Sequence, residues 1–249
     1  MAEETRQRAI LLRLARMGER QPPAPISTGF LALDRALAVG GLPRGSIVEI
    51  FGPPSCGKTD LALQIAGYAQ QNGLTCAWVD AEQVFDPAHA ASLRVAIERL
   101  PLARPSCAEE ALALAYSLVT SNAVDMLVID SAAALVPRLE LQTALGEGSH
   151  GLHSRVLASG LRKLARAVAR SDSSVVFLNQ IRFRTKPSSG QTKTTAGGPP
   201  LKLYAALRIE LDEPAGRRMR FRVLKNRAAA AFREGQLECR TGGGFLESP

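Results

Sequence analysis

The run Gly52-Pro53-Pro54-Ser55-Cys56-Gly57-Lys58-Thr59 constrains this chain more than any other stretch. Two glycines with four residues between them, followed by Lys and Thr, have the spacing of a phosphate-binding loop. Gly52 and Gly57 are expected to take φ > 0 and bend the backbone tightly. A bent backbone turns its N–H groups inward as an anion nest. Lys58 adds a point charge for the β- and γ-phosphates of a nucleotide, and Thr59 offers a hydroxyl to Mg²⁺. Residues 46–51 read as a β-branched strand and 61–66 as a helix. Strand, glycine loop and helix N-terminus is the context this chemistry needs, because the helix dipole then faces the phosphates. A glycine turn that only mimics the pattern would not need both flanks.

The same alternation continues along the chain. Strands are expected at 75–80, 126–130 and 174–179, and helices at 31–37, 107–121 and 150–170. Apolar strands alternating with helices imply a mostly parallel, covered sheet of the α/β class. From residue 204 the pattern becomes strands with short turns, at 204–211, 217–224 and 235–240, which suggests antiparallel additions at the sheet edge. Residues 4–20 read as a helix with Ile10, Leu11, Leu14 and Met17 on one face. It packs on its own domain or docks on a neighbouring subunit. A proline-rich linker ends it at residue 25, so 1–25 stand apart from a core at 26–249.

Composition narrows the class. The chain has 249 residues, 46% of them hydrophobic, enough for one α/β domain with a sizeable core. No apolar run reaches the length of a membrane span. The charged N-terminus lacks the apolar stretch of a secretory signal. The four cysteines are scattered, with no C-x-x-C pair, which argues against a zinc site or a disulfide framework. A reducing cytoplasm is therefore expected. A net charge of +8 points to an anionic partner, nucleic acid first.

Three strand ends should meet the phosphate loop. Asp130 closes an apolar strand and either orients Mg²⁺ or caps the next turn. Ser131 follows and can hydrogen-bond in the same shell. Asp80-Ala81-Glu82 ends another strand at the same sheet edge, where ligands of open α/β sheets bind. One of the two carboxylates could activate water against the γ-phosphate, and spacing alone does not choose between them. Asn179-Gln180 supplies neutral amides that can sense that phosphate. Beyond it, residues 173–209 contain no acid but carry Arg182, Arg184, Lys186, Lys193, Lys202 and Arg208. The Gly/Ser/Thr-rich middle, 187–200, is not expected to hold a fixed structure alone. It is a basic nucleic-acid loop or a solvated one.

Taken together these residues resemble the bacterial RecA recombinase family. The resemblance runs from about Ile26 to Phe245. It covers Ile26-Ser27-Thr28-Gly29, Gly40-Gly41-Leu42-Pro43, the phosphate loop, Asp80-Ala81-Glu82, Val128-Ile129-Asp130-Ser131, Asn179-Gln180-Ile181-Arg182 and Leu224-Lys225-Asn226-Arg227. It implies a P-loop NTPase of RecA type. The activity implied is an ATPase that polymerises on single-stranded DNA, with ATP between protomers, and pairs that strand with duplex DNA. Such filaments also act on the SOS repressor.

Residue by residue, the resemblance makes Glu82 the water-activating carboxylate and Gln180 the γ-phosphate sensor. Asp86, His89 and Gly242 would meet the base, beside Asp60 and the loop itself. Segment 140–150 with Arg155 would form the first DNA loop. Arg182, Arg184, Lys186, Lys193, Gly197 and Gly198 would belong to the second. Lys225 and Arg227 would reach ATP on the adjacent protomer, as an arginine finger does. The N-terminal helix would be the docking arm. His89 stands where the family has a stacking tyrosine, Asp60 where it has a second threonine, Ser189 where it has an aromatic, and Arg227 where it has a lysine. The family's small C-terminal domain has no counterpart in the sequence. A second reading is a RecA-like accessory protein of a DNA-damage mutagenesis complex, working with a translesion polymerase. A thiol at Cys56 would make ATP binding sensitive to alkylation.

Overall fold

The computed structural model describes residues 23–144, 151–186 and 190–247, the side chains of 184–192 excepted. The expected helix at 4–20, segment 145–150 and Ser189 lie outside the described residues. The chain enters the core at Ile26, which exchanges backbone hydrogen bonds with Leu42 at 2.9 and 2.7 Å. Helix α1 (Leu31–Leu37) follows, then strand β1 (Ser46–Gly52) and helix α2 (Lys58–Gln71). Next come β2 (Cys76–Asp80), α3 (Pro87–Ser92), β3 (Leu102–Ala103), α4 (Ala108–Thr120) and β4 (Met126–Asp130). The short α5 (Arg138–Gln142) and the long α6 (Leu152–Val168) lead to β5 (Ser174–Lys186) and β6 (Gly190–Thr195). The chain closes with α7 (Pro199–Tyr204), β7 (Leu207–Leu211), β8 (Arg218–Asn226), β9 (Glu234–Cys239) and β10 (Phe245–Glu247).

The sheet order is β10-β9-β8-β7-β1-β5-β4-β2-β3. All pairs from β7 to β3 are parallel, and those from β8 onward are antiparallel. Strand side chains alternate between faces with period two. Met126 and Val128 of β4 therefore join Val176 and Leu178 of β5 in a core against α1 and α2. Their neighbours Leu127, Ile129, Val175 and Phe177 join the opposite core, against α4 and α6. Both faces are covered, which is why these strands read as unbroken apolar runs. Helix α6 buries Leu157, Leu161, Leu164 and Val168 at spacings of four, three and four. Its arginines at 155, 162 and 166 stay exposed.

Three sequence expectations need correction. The strand expected at 204–211 begins only at Leu207, because residues 199–204 form a helix. Pro199 and Pro200 fit a helix's first turn, where the missing N–H costs nothing. The strand that follows, β7, runs parallel to β1 inside the sheet, so the antiparallel additions begin only at β8. Finally, part of the Gly/Ser/Thr-rich stretch is ordered. β5 continues past the sheet and pairs with β6, from Ile181↔Thr195 to Lys186↔Gly190. Thr192, Thr194 and Thr195 are β-branched, and local composition understated what cross-strand pairing can hold.

Candidate functional site

The carboxyl ends of β1, β2, β4 and β5 converge on one edge of the sheet. Gly52 lies beside Gln180, and Asp80 beside Asp130. The phosphate loop joins β1 to α2 there. Gly57, the N-cap of α2, has φ 86°, as its role requires. Gly52 is needed for a different reason than expected. It is not among the residues of positive φ, but a Cβ there would meet the Cys56 sulfur and the Leu211 carbonyl, both at 2.6 Å. Ser55 takes the left-handed turn instead, at φ 59°. Lys58 Nζ donates to the carbonyl of Pro53 at 2.6 Å, so the ammonium sits within the curl of the loop. Cys56 is fully buried, and burial raises its thiol pKa more than Lys58 lowers it. Burial thus works against the reactivity expected of a thiol in this loop.

Thr59 Oγ1 donates to Asp130 Oδ2 at 2.9 Å. Burial pushes Asp130 up to about 7, with Glu82 and Asp80 adding to the rise and Thr59 opposing it. A hydroxyl and a carboxylate on neighbouring elements fit Mg²⁺, which prefers oxygen donors and takes few of them from protein. Among the described residues no group of three or more His, Cys, Asp or Glu forms a dedicated metal cage.

The two carboxylates after β2 have different surroundings. Asp80 is 1% exposed. Its oxygens accept from the N–H groups of Val84 and Phe85 and from Arg104 Nε, each at 3.1 Å. That carboxylate is consumed in holding the turn. Glu82 Oε1 instead accepts from Ser131 Oγ at 2.5 Å and stands 3.5 Å from Gln180 Nε2. Its backbone N–H donates to the Asp130 carbonyl at 3.1 Å. The geometry thus draws Glu82, Ser131 and Gln180 into one group from three strand ends. Gln180 is fixed in turn: its N–H donates to Asn179 Oδ1 at 2.8 Å, and its carbonyl accepts from Ala196, just past β6.

On the other flank of the loop, Asp60 uses both oxygens. Oδ1 lies 2.8 Å from His89 Nε2, and Oδ2 accepts from the Gly244 N–H at 2.7 Å. Asp86 caps α3, accepting from Ala88 and His89 N–H at 2.8 and 3.2 Å. Gly242 has φ 92° in the turn that leads to β10. Asp60, His89 and the glycine turn are therefore brought together, while the oxygen of Asp86 described here serves its own helix.

Lys225 and Arg227 are not near this edge. Lys225 pairs with Arg208, which lies beside Glu49, three residues before Gly52. Lys225 Nζ donates to the carbonyls of Lys202 and Leu203 at 2.9 and 3.1 Å, and Arg227 Nη2 to Leu203 at 3.1 Å. Burial, followed by Arg227 and Arg208, lowers the Lys225 pKa. At about 3.3 Å per residue, the displacement along β1 is on the order of 10 Å.

Of the basic residues, Arg155 and Arg182 are exposed, at the start of α6 and at the root of the β5–β6 hairpin. Arg184 and Lys186 lie on β5 within that hairpin. Lys193 on β6 forms an ion pair with Glu210. Gly197 and Gly198 take φ 76° and 75°, and a Cβ on Gly197 would strike Leu157 Cδ1 at 2.4 Å. The hairpin is thus packed directly against α6. His153, also on α6, lies 3.1 Å from the carbonyl of Ala132, two residues after Asp130.

One buried set escaped the sequence reading. Glu49 is fully buried in β1. It accepts from Asn179 Nδ2 at 2.8 Å and from Arg208 Nε at 2.5 Å. Arg208 also lies 4.5 Å over the Phe51 ring. The signal was present: a lone charge within an apolar strand at 49, and another at 208. Buried charges of this kind are paired.

A family model described as the RecA N-terminal domain matches residues 6–246. The protein named Protein RecA from Gluconacetobacter polyoxogenes is 45% identical over 243 residues, spanning 93% of this chain and 70% of the relative. That from Acidiphilium cryptum is 43% identical over 244 residues, spanning 94% and 71%. The crystal structure of the RadB recombinase superposes with a TM-score of 0.69 at 23% identity, over 90% of this chain and 100% of that one. At that identity the likeness concerns the fold.

Proposed function

The chain belongs to the RecA N-terminal domain family, and on that footing we propose that it is an ATP-dependent recombinase that assembles on single-stranded DNA. ATP is the substrate, with its phosphates in the loop at 52–59. Thr59 and Asp130 would hold Mg²⁺, which supplies charge neutralisation for the phosphates. Lys58 adds positive charge on the same side. Glu82 positions the attacking water and takes up its proton, with Ser131 and Gln180 fixing the carboxylate. Gln180 reads the terminal phosphate and passes its state to the hairpin through Ala196.

The observation that carries this reading is the junction of Glu82 with Ser131 and Gln180. A hydrolytic carboxylate and a phosphate-sensing amide share a hydrogen bond at the root of a basic hairpin. Arg155, Arg182, Arg184, Lys186, Lys193 and the Gly197-Gly198 turn form the surface for DNA, with backbone contacts supplying affinity. Lys225 and Arg227 lie too far from their own loop, which supports a role at the ATP of an adjacent protomer in a filament. Residues 1–25 would be the arm that docks between protomers. Homologous pairing with duplex DNA, SOS-repressor cleavage and cytoplasmic location belong to the same proposal. Among the described residues no helix is long and apolar enough to cross a membrane.

The test is ATP hydrolysis by the full chain with and without single-stranded DNA. Saturable stimulation is expected. DNA-independent or absent turnover would overturn it and favour the accessory role in a mutagenesis complex.

A further inference from the structure

Helix α2 carries Gln64, Tyr68 and Gln71 at i, i+4 and i+7, one stripe on its surface. That stripe floors a cavity of about 200 Å³, walled by Arg94 and Arg240. None of the residues assigned above to the nucleotide lines it. The two arginines come from distant parts of the chain, and both are anchored by backbone. Arg94 sits at φ 69°, an uncommon conformation for a residue with a side chain. Its carbonyl packs so tightly on α2 that a Cβ at Gly67 would meet it at 2.7 Å. Arg240 donates its N–H to the Gly244 carbonyl at 2.9 Å, and its carbonyl accepts from Gly243. Neither guanidinium has an ion pair or a hydrogen bond among the described residues. The one acid in the lining, Glu247, is already engaged: its oxygens accept from the N–H groups of Leu31 and Ala32 at 2.7 and 2.6 Å.

We propose that this cavity is a second anion site, distinct from the phosphate loop, that takes a small phosphoryl ligand of about pyrophosphate size. Two arginines that line one cavity from distant parts of the chain can offer paired N–H donors, which suit tetrahedral phosphoryl oxygens. The Gln71 amide and the Tyr68 hydroxyl have no side-chain hydrogen bond of their own and add neutral donors. The cavity is below the size of a typical drug-like pocket, which fits a compact anion rather than a whole nucleotide. Its wall is shared with the site described above. Gln64 holds Phe245 by two hydrogen bonds, at 2.7 and 2.9 Å, and a Cβ on Gly57 would strike the Phe245 ring at 2.4 Å.

The test uses the full chain carrying Lys58→Ala, which weakens the phosphate loop, titrated with inorganic pyrophosphate by calorimetry in magnesium-free buffer at fixed ionic strength. One saturable equivalent is expected. Adding Arg94→Gly or Arg240→Gln should weaken it about tenfold or more each. Glycine suits the backbone at 94 and residue 240 is exposed, so neither change endangers the fold. Absence of saturable binding in the Lys58→Ala chain, or equal affinity in the arginine variants, overturns the proposal. So does a change in self-association in place of pyrophosphate affinity, which would make a second copy the occupant. ATP binding compared between wild type and Lys58→Ala separately reports on the nucleotide reading.

Discussion

Glu82 follows the end of β2 and Gln180 lies on β5, yet their side chains meet, Gln180 Nε2 to Glu82 Oε1, at 3.5 Å. A carboxylate and an amide that touch cannot respond to a phosphate independently. Whatever draws the amide away alters the environment of the carboxylate.

Glu82→Gln removes the proposed proton acceptor and keeps the shape. Steady-state ATP turnover is expected to fall by about 10²- to 10⁴-fold, while ATP and DNA binding persist. Normal turnover would return the role to another group.

Lys225→Ala should leave the protomer folded, since its amine is held by two carbonyls near the surface. DNA-stimulated hydrolysis should be lost and the thermal midpoint nearly unchanged. Wild-type stimulation would remove the role across protomers. Mixing this variant with Glu82→Gln offers a sharper form of the test. Each supplies what the other lacks, so partial turnover should return in the mixture.

Glu49→Ala strands Arg208 in the core. A loss of about 3–5 kcal/mol is expected from equilibrium unfolding in denaturant. Replacing both partners with methionine should recover most of it, because an apolar pair carries no desolvation penalty. A single-variant loss below about 1 kcal/mol would mean that the pair is not buried as described.

Gly57→Ala places a side chain at φ 86° and against the Phe245 ring. The backbone alone should cost about 1–2 kcal/mol. Adding Phe245→Leu should return the part due to the clash and leave the backbone part. No recovery would show that the ring is not the obstacle.

Cys56 gives a pH dependence with a definite sign. Burial holds its pKa above the ordinary 9.0, so the folded protein has less thiolate at any given pH than the unfolded chain. Iodoacetamide should label Cys56 more slowly in the native protein than in urea, and the native rate should still be rising above pH 9. Fast labelling near pH 7 would restore the expectation of an alkylation-sensitive loop.

Much of the site was legible because its chemistry is tied to local pattern. The phosphate loop, Asp130 and the strand ends at 80–82 and 179–180 all follow from short runs whose spacing fixes their place in a parallel sheet. Asp80 and Glu82 could not be told apart by position. What separates them is Arg104 and the turn at 84–85, which claim one carboxylate and leave the other to Ser131. The parallel placement of β7 was hidden for a related reason. Strand direction depends on the crossover that precedes it, and the helix at 199–204 was not expected beside a Gly/Ser/Thr-rich stretch. The Glu49–Arg208 pair joins positions 159 residues apart. Its two halves each looked like an ordinary solvated charge until the fold buried them.

Strand β5 has one further consequence. It runs without interruption from the middle of the sheet through Gln180 to Lys186, with no hinge residue between. A six-residue extension at about 3.3 Å per residue is an arm about 20 Å long. A rotation of about 5° at its root moves its far end by roughly 2 Å, comparable to the length of a hydrogen bond's H···O gap. On the function proposed above, a small displacement at the phosphate would be enough to make or break contacts between this hairpin and a nucleic acid. The gain would come from the length of the continuous strand.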